Sequence, residues 1–301
     1  MTIHTRRLAA TLVAFAVVAG ACGGTADTTT TTSPTTTTAP IETTTSAPTT
    51  TLPAEEGAGP VAYFFVEDVD GEGAHLVPVW RGGPGIDDTP EAALVALFEG
   101  PTQGEVDGIP SISTAIPDGT RLLGFEVASG VATVDVSGTF DDGGGSASMF
   151  GRLAQLAFTA TRHDGIDAVV LAIDGEVVEV FSSEGIILDG ALTREDYVED
   201  HVPAIFVDIP AWGQPVTSPV TVTGIANVFE ATFQIILTDD DGLPLAEEMV
   251  MATCGTGCWG TFSVDLAYEV DRDQFGALIV WAESAQDGSR IEVREYPVQL
   301  R

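Results

Sequence analysis

The residues of this chain that could do chemistry are 45 acidic side chains, four histidines and three cysteines. Paired carboxylates could hydrolyse glycosidic bonds by acid and base catalysis, but among so many acids close pairs arise by chance. The sequence contains no H-E-x-x-H zinc motif and no G-x-S-x-G or S-x-x-K nucleophile motif. No P-loop or glycine-rich dinucleotide fingerprint opens a predicted helix. We therefore predict no catalytic residue, no metal site and no cofactor.

Two of the cysteines, Cys254 and Cys258, lie close together in the segment C-G-T-G-C. A structural zinc site needs four ligands and a redox motif needs C-x-x-C spacing, so neither fits this pair. In an oxidising compartment the pair is predicted to form a disulfide that closes a glycine-rich turn.

Other side chains could bind without catalysing a reaction. Exposed indoles stack on sugars, and Trp259 and Trp212 are the candidates for surface binding, whereas Trp281 lies in an apolar segment and is predicted to be buried. Two acidic turns, at residues 68–72 and 239–242, could hold calcium. Neither has the EF-hand loop that ends in glutamate, so hairpin turns are favoured. His163 is predicted at the C-terminus of a helix, where a cationic ring suits the dipole.

The charge of the chain is strongly negative, with 11 basic residues, all of them arginine, and a formal net charge of −34. Such a surface repels phosphates, so nucleic acid is not an expected partner. It could attract cations or basic partners. A soluble, self-repelling surface in a medium that screens it is the favoured interpretation.

Residues 1–21 are typical of a signal peptide, with a basic start and an apolar stretch too short to span a bilayer. The junction V-A-G-A-C that ends at Cys22 is similar to the bacterial lipobox. This similarity implies that Cys22 carries a lipid and anchors the mature protein to the outer face of the cell membrane. The alternative is ordinary cleavage that leaves Cys22 as a stray thiol. Residues 22–59 are rich in threonine and proline without apolar periodicity, and we predict a disordered stalk there, which O-glycosylation could modify.

Residues 60–198 are predicted to form an α+β domain of order ββαββαββ, with two helices on a largely antiparallel sheet. Thr89 as N-cap and Pro90 as first residue mark the first helix. The second helix is predicted to be capped by Ser146 and to bury a stripe that includes Phe150. The clearest hairpin joins strands 166–173 and 176–181 through an Asp-Gly turn.

This domain resembles the GerMN (sporulation and spore germination) family in five segments that follow the family's order. The segments are ALVALFEGPT (93–102), AIPDGT (115–120), VATVDVS (131–137), RLAQLA (152–157) and LTREDY (192–197). The resemblance implies a non-catalytic interaction domain of extracytoplasmic proteins that takes part in envelope complexes.

Residues 203–301 are predicted to form an all-β sandwich of at least six short strands. They resemble the immunoglobulin-like domain of bacterial spore germination in SPVTVTGIA (218–226), VFEA (228–231), GTFS (260–263) and AQDG (285–288). The two cysteines are too close in sequence to bridge the sheets of a sandwich.

The leading hypothesis is a non-catalytic lipoprotein that binds or scaffolds envelope proteins or a cell-wall polymer. The alternatives are a cell-wall hydrolase with dispersed carboxylates and a structural surface protein without a ligand.

Overall fold

The structure is a computed structural model that describes residues 57–67, 73–109 and 111–301. The predicted signal peptide, Cys22, nearly all of the predicted stalk and the acidic turn at 68–72 lie outside the described residues. Among the helices of the described ranges, none combines the length and the apolar character needed to cross a bilayer.

The first folded domain is α+β, as predicted from the sequence. It contains an antiparallel pair β1–β2, a four-stranded sheet of order β3-β4-β5-β6 and a small pair β7–β8. Its elements are β1 (Val61–Glu67), β2 (Ala74–Trp80), α1 (Pro90–Phe98), α2 (Gln103–Gly108), β3 (Leu122–Ala128), β4 (Val131–Val136), α3 (Ser146–Ala160), β5 (Ala168–Ile173), β6 (Glu176–Val177), β7 (Val180–Phe181), β8 (Ile186–Ile187) and α4 (Val198–His201).

The start of α1 follows its local sequence signals. The hydroxyl of Thr89 accepts a hydrogen bond from the amide of Ala92 at 3.1 Å, and Pro90 is the first helical residue. Such a cap satisfies one of the amides that have no partner inside the helix. The predicted N-cap is therefore confirmed.

The start of α3 differs from the prediction. Gly145 is its N-cap, and Ser146 lies inside the helix and donates its hydroxyl to Glu184 at 2.7 Å. Phe150, predicted to be buried, is 43% exposed, whereas its neighbour Met149 is 2% exposed, so Phe150 lies on the solvent side of the first half of the helix. From Gly151 to the end of the helix every residue is buried. This C-terminal part of the helix is thus enclosed on all sides rather than packed along one stripe.

The sheet also departs from a simple series of hairpins. Strands β4 and β5 pair in parallel, with α3 as the connection between them. The predicted Asp-Gly turn is present, with positive φ at Asp174 and Gly175, as a two-residue hairpin requires. Its second strand, however, stops at Val177, and Val180–Phe181 pairs with β8 instead.

The second folded domain is a sandwich of two sheets, which confirms the predicted fold class. One sheet has the order β10-β16-β15-β12-β13 and the other the order β14-β11-β9. The strands are β9 (Ile205–Ile209), β10 (Pro215–Val216), β11 (Val220–Ala226), β12 (Thr232–Thr238), β13 (Pro244–Met251), β14 (Gly260–Leu266), β15 (Gln274–Glu283) and β16 (Arg290–Leu300). Strands β9 and β13 were not predicted. Trp281 is 3% exposed, as expected, and the guanidinium of Arg290 lies 4.0 Å from the centre of its ring.

The three-stranded sheet turns one face toward the first domain. Phe206 is paired with Ile225, and Ile225 with Thr261, so these three side chains share a face. On that face the ring of Phe206 meets the ring of Phe158 from α3 at 5.9 Å, nearly perpendicular. The two domains therefore pack directly on each other through aromatic side chains.

Candidate functional site

A cluster of three ionised side chains and one tyrosine lies where the two domains meet. We call it the buried ion cluster, and it consists of Tyr63 on β1, Arg162 after α3, Arg194 before α4, and Asp208 on β9. Arg194 donates from Nη1 to Oδ2 of Asp208 at 2.8 Å, and Nη1 of Arg162 lies 3.0 Å from Oδ1. The hydroxyl of Tyr63 donates to Oδ1 of the same carboxylate. One aspartate of the second domain thus holds three side chains of the first.

The ionisation states in this cluster follow from its surroundings. Burial alone would raise the pKa of Asp208, but Arg194, Arg162 and the Tyr63 hydroxyl together lower it below its ordinary value. Burial raises the pKa of Tyr63 to about 12. Burial would lower the pKa of Arg194, yet the neighbouring tyrosine and carboxylate raise it. The cluster therefore contains an ionised aspartate, two guanidiniums and a neutral phenol at neutral pH.

All three guanidinium nitrogens of Arg194 donate hydrogen bonds within the protein. Its Nε donates to the hydroxyl of Thr161 at 2.9 Å, and its Nη2 donates to the carbonyl of Phe158 at 2.9 Å and to the hydroxyl of Tyr63 at 3.1 Å. Its guanidinium carbon also lies 4.9 Å from the centre of the Phe158 ring. Such stacking and forked hydrogen bonding suit arginine rather than lysine.

Beside this cluster lies a groove of about 780 Å³ between the two domains, which we call the interdomain groove. One wall comes from the segment before and within α4, and the other from the three-stranded sheet of the sandwich. The lining residues are Phe158, Arg194, Glu195, Val198, Glu199, Phe206, Asp208, Thr223, Gly224, Ile225, Trp259, Thr261 and Phe262. The volume is in the range of small-ligand sites, and the lining is mainly apolar with a few charged groups, as such sites usually are.

Trp259 contributes to the wall that the sandwich forms. Its ring is half-buried, and its Nε1 donates to Oε1 of Glu199 at 2.8 Å. The tryptophan follows directly on the disulfide between Cys254 and Cys258, whose Cα atoms are 5.8 Å apart. The indole that contacts the first domain is thus adjacent in sequence to the disulfide turn.

The other candidate residues lie elsewhere. Trp212 does not line the groove: its backbone amide donates to the carbonyl of Pro78 at 2.8 Å, and its ring packs against the core. Burial lowers the pKa of His163 below its ordinary value, which favours the neutral ring over the predicted cation. At the 239–242 turn, Oδ1 of Asp239 accepts from the amides of Asp241 and Leu243, which is the geometry of a hairpin turn.

The described residues contain no group of three or more acidic, histidine or cysteine side chains placed to hold a metal ion.

The buried ion cluster was missed by sequence reasoning because its members are far apart in the chain. Asp208 did carry a signal, since it is the single charge in the apolar run I-F-V-D-I at 205–209. A charge in such a strand is rarely buried without a partner. With 11 arginines in the chain, the candidate partners were few, but nothing in the sequence selects Arg162 and Arg194 among them.

Two consecutive parts of the chain match known families. Residues 61–179 match the family described as sporulation and spore germination, and residues 204–289 match the family described as the immunoglobulin-like domain of bacterial spore germination.

Two solved structures are similar to parts of the chain. The first GerMN domain of the sporulation protein GerM from Bacillus subtilis is 20% identical with a TM-score of 0.36, over 45% of this chain and 98% of that one. The tandem GerMN domains of the same protein are 16% identical with a TM-score of 0.38, over 70% of this chain and 62% of that one. Comparison with curated proteins gave no match.

Proposed function

The chain carries a GerMN domain followed by an immunoglobulin-like domain of the bacterial spore-germination type, and from this premise we propose that it is a non-catalytic binding protein of the cell envelope. The two matches confirm the resemblance found in the sequence. Both families are described by spore germination rather than by a reaction. A role in binding or scaffolding envelope components agrees with that description.

The proposed location is the outer face of the cell membrane. The signal-peptide pattern before Cys22 and the threonine-rich segment after it support a lipid anchor on a stalk. The disulfide between Cys254 and Cys258 supports an oxidising, extracytoplasmic compartment.

The observation that carries the proposed binding function is the interdomain groove. Its walls come from different domains, and the buried ion cluster beside it ties these domains together through Asp208. A groove whose walls are already fixed loses little conformational entropy when a ligand enters. This arrangement favours binding over a merely structural role.

Affinity purification of the full-length chain from its own membranes tests this proposal. We expect an enriched envelope protein or wall polymer with the unchanged chain and with Ala267→Trp, which adds bulk at an exposed position outside the groove. The same component should be lost with Thr261→Trp, which places an indole in the groove. Equal enrichment by both variants would contradict groove binding, and release of soluble fragments from purified peptidoglycan would support the hydrolase alternative instead.

A further inference from the structure

We propose that the interdomain groove binds a basic peptide segment of a partner protein, in which arginine or lysine side chains alternate with apolar ones. This inference rests on the proposed binding function and specifies the chemistry of its ligand. Three features of the groove carry it: the state of its arginine, the placement of its carboxylates, and its apolar walls.

Arg194 has little hydrogen-bonding capacity left for an anionic ligand. Arg194 already donates to Thr161, Asp208, Tyr63 and Phe158, so most of its hydrogen-bonding capacity is used inside the protein. Its charge is also balanced at close range by the carboxylate of Asp208. A phosphate or a carboxylate of a ligand would have to displace these partners.

Two carboxylates of the groove, unlike its arginine, are accessible to a ligand. Glu195 and Glu199 are both exposed on the wall formed by the first domain. Glu199 accepts one hydrogen bond from Trp259 at Oε1, and a carboxylate can accept several more. Asp208 is paired with both Arg194 and Arg162, and even with Arg162 counted the three carboxylates outnumber the two guanidiniums, so the groove is net negative at neutral pH. The charges open to a ligand therefore favour a cation.

The apolar walls explain why a peptide suits the groove better than a free cation. Val198 lies between the two glutamates in sequence and faces the groove, and Ile225 and Phe206 line the wall opposite. The stem of an arginine or lysine side chain packs along such surfaces while its head reaches a carboxylate. A guanidinium also stacks on an indole, and Trp259 provides one in the lining of the groove.

The net negative charge of the whole chain also favours a cationic ligand. With 45 acidic and 11 basic residues, the chain attracts cationic segments over distances of about a Debye length and repels anionic polymers. Association with a basic peptide is therefore expected to be fast at low salt and to weaken as salt is added.

Fluorescence anisotropy with labelled peptides tests the inference on the purified full-length chain. The probes are a peptide of repeating Leu-Arg-Ser units and a peptide of repeating Leu-Glu-Ser units. We expect the basic peptide to bind and the acidic peptide to remain free. Tighter binding of the acidic peptide would overturn the inference.

Matched variants separate groove binding from general attraction to an acidic surface. Glu195→Gln combined with Glu199→Gln removes two charges from the groove and should raise the Kd of the basic peptide about five- to tenfold. Glu247→Gln combined with Glu248→Gln removes the same charge from exposed positions on β13 and should change the Kd less than about twofold. Equal effects of the two pairs would overturn the inference.

Two further measurements complete the test. Glu195→Arg combined with Glu199→Arg should reverse the preference, so that the acidic peptide binds and the basic peptide does not; an unreversed preference would count against the inference. Competition with soluble peptidoglycan fragments separates it from the proposed function. If the fragments bind in the groove and the basic peptide does not, the ligand class is wrong and the binding function stands. If neither binds and Thr261→Trp changes no partner, both fail.

Discussion

Arg194 donates from Nη1 to Oδ2 of Asp208 across 2.8 Å, and this contact joins the loop before α4 to the first strand of the sandwich. Both side chains also line the interdomain groove. The same ion pair therefore contributes to domain packing and to the shape of the proposed binding site. Because Arg162 and Tyr63 contact the same carboxylate, the loss of Asp208 affects three partners at once.

The first prediction is that Asp208→Asn destabilises the protein strongly. The side chain of Asp208 is mostly buried, with 21% of its surface exposed. The substitution removes its negative charge and leaves two adjacent guanidiniums without a counter-ion. Breaking a buried pair in this way typically costs about 3 kcal/mol. The free energy of unfolding in urea measures the loss.

Asp240→Asn is the matched control, since Asp240 pairs at 2.7 Å with Arg272, whose side chain is 66% exposed. A surface pair of this kind contributes little to stability because solvent and salt screen it. Equal losses for the two variants would show that the buried ion cluster does not stabilise the domain contact.

The second prediction concerns the stability of the protein at acidic pH. Because the folded-state pKa of Asp208 lies below its ordinary value of 3.8, the unfolded chain takes up this proton first as the pH falls. The stabilisation from Asp208 is therefore complete about one pH unit above the unfolded-state pKa, near pH 5, and is lost as the pH falls through the folded-state pKa. The stability difference between the unchanged chain and Asp208→Asn should be constant from neutral pH to about pH 5 and then shrink. A difference that stays constant below pH 3 would contradict the lowered pKa.

The third prediction concerns tyrosine ionisation and stability at alkaline pH. The chain has four tyrosines, and burial raises the pKa of each one, with Tyr63 and Tyr296 at about 12. The pKa values of Tyr197 and Tyr268 are raised for the same reason. For groups of this kind the stabilisation is present below the unfolded-state pKa of about 10 and is lost as the pH rises through the folded-state value. Ultraviolet titration should show little phenolate at pH 10 and a steep rise at higher pH that coincides with unfolding. A smooth titration centred near pH 10 would be incompatible with buried phenols.

The parts of the fold that sequence could predict depend on short-range signals. Thr89 and Pro90 define the start of α1 because a cap involves residues three apart, and the Asp-Gly turn defines a hairpin for the same reason. The parallel pairing of β4 with β5 was not predicted, because it depends on how α3 packs rather than on any local pattern. The T-x-x-E capping box of Thr102 and Glu105, which begins α2, is a short-range signal of the same kind, although no helix was predicted there.

In the candidate site, too, only the feature with a short-range sequence signal was predicted. Trp259 was identified as a surface residue because it follows a glycine-rich cysteine turn, and it lines the groove. Its partner Glu199 and the pair of Arg194 and Asp208 were not identified. These contacts join residues of different domains, and one acid among 45 gives no sign of which contact it makes.

The fourth prediction concerns the disulfide between Cys254 and Cys258. Since it closes a loop of only a few residues, its entropic stabilisation should be about 2 kcal/mol, small enough for the sandwich to stay folded without it. Cys254→Ser combined with Cys258→Ser should lower the free energy of unfolding by that amount and weaken binding in the groove, because Trp259 loses its fixed position beside Glu199. Urea unfolding and peptide anisotropy measure the two effects. Unchanged binding would show that the indole is positioned by its own contacts rather than by the disulfide.

The fifth prediction concerns Cys22, the residue on which the proposed anchor depends. Cys22→Ser removes the thiol that would carry the lipid and leaves the rest of the chain unchanged. Two or more acyl chains hold a protein stably on a membrane, whereas a chain without them has no comparable attachment. We expect the variant in the soluble fraction and the unchanged protein in the membrane fraction after cell fractionation, with Cys254→Ser remaining membrane-bound as the control. Retention of Cys22→Ser in the membrane would contradict lipidation at this residue.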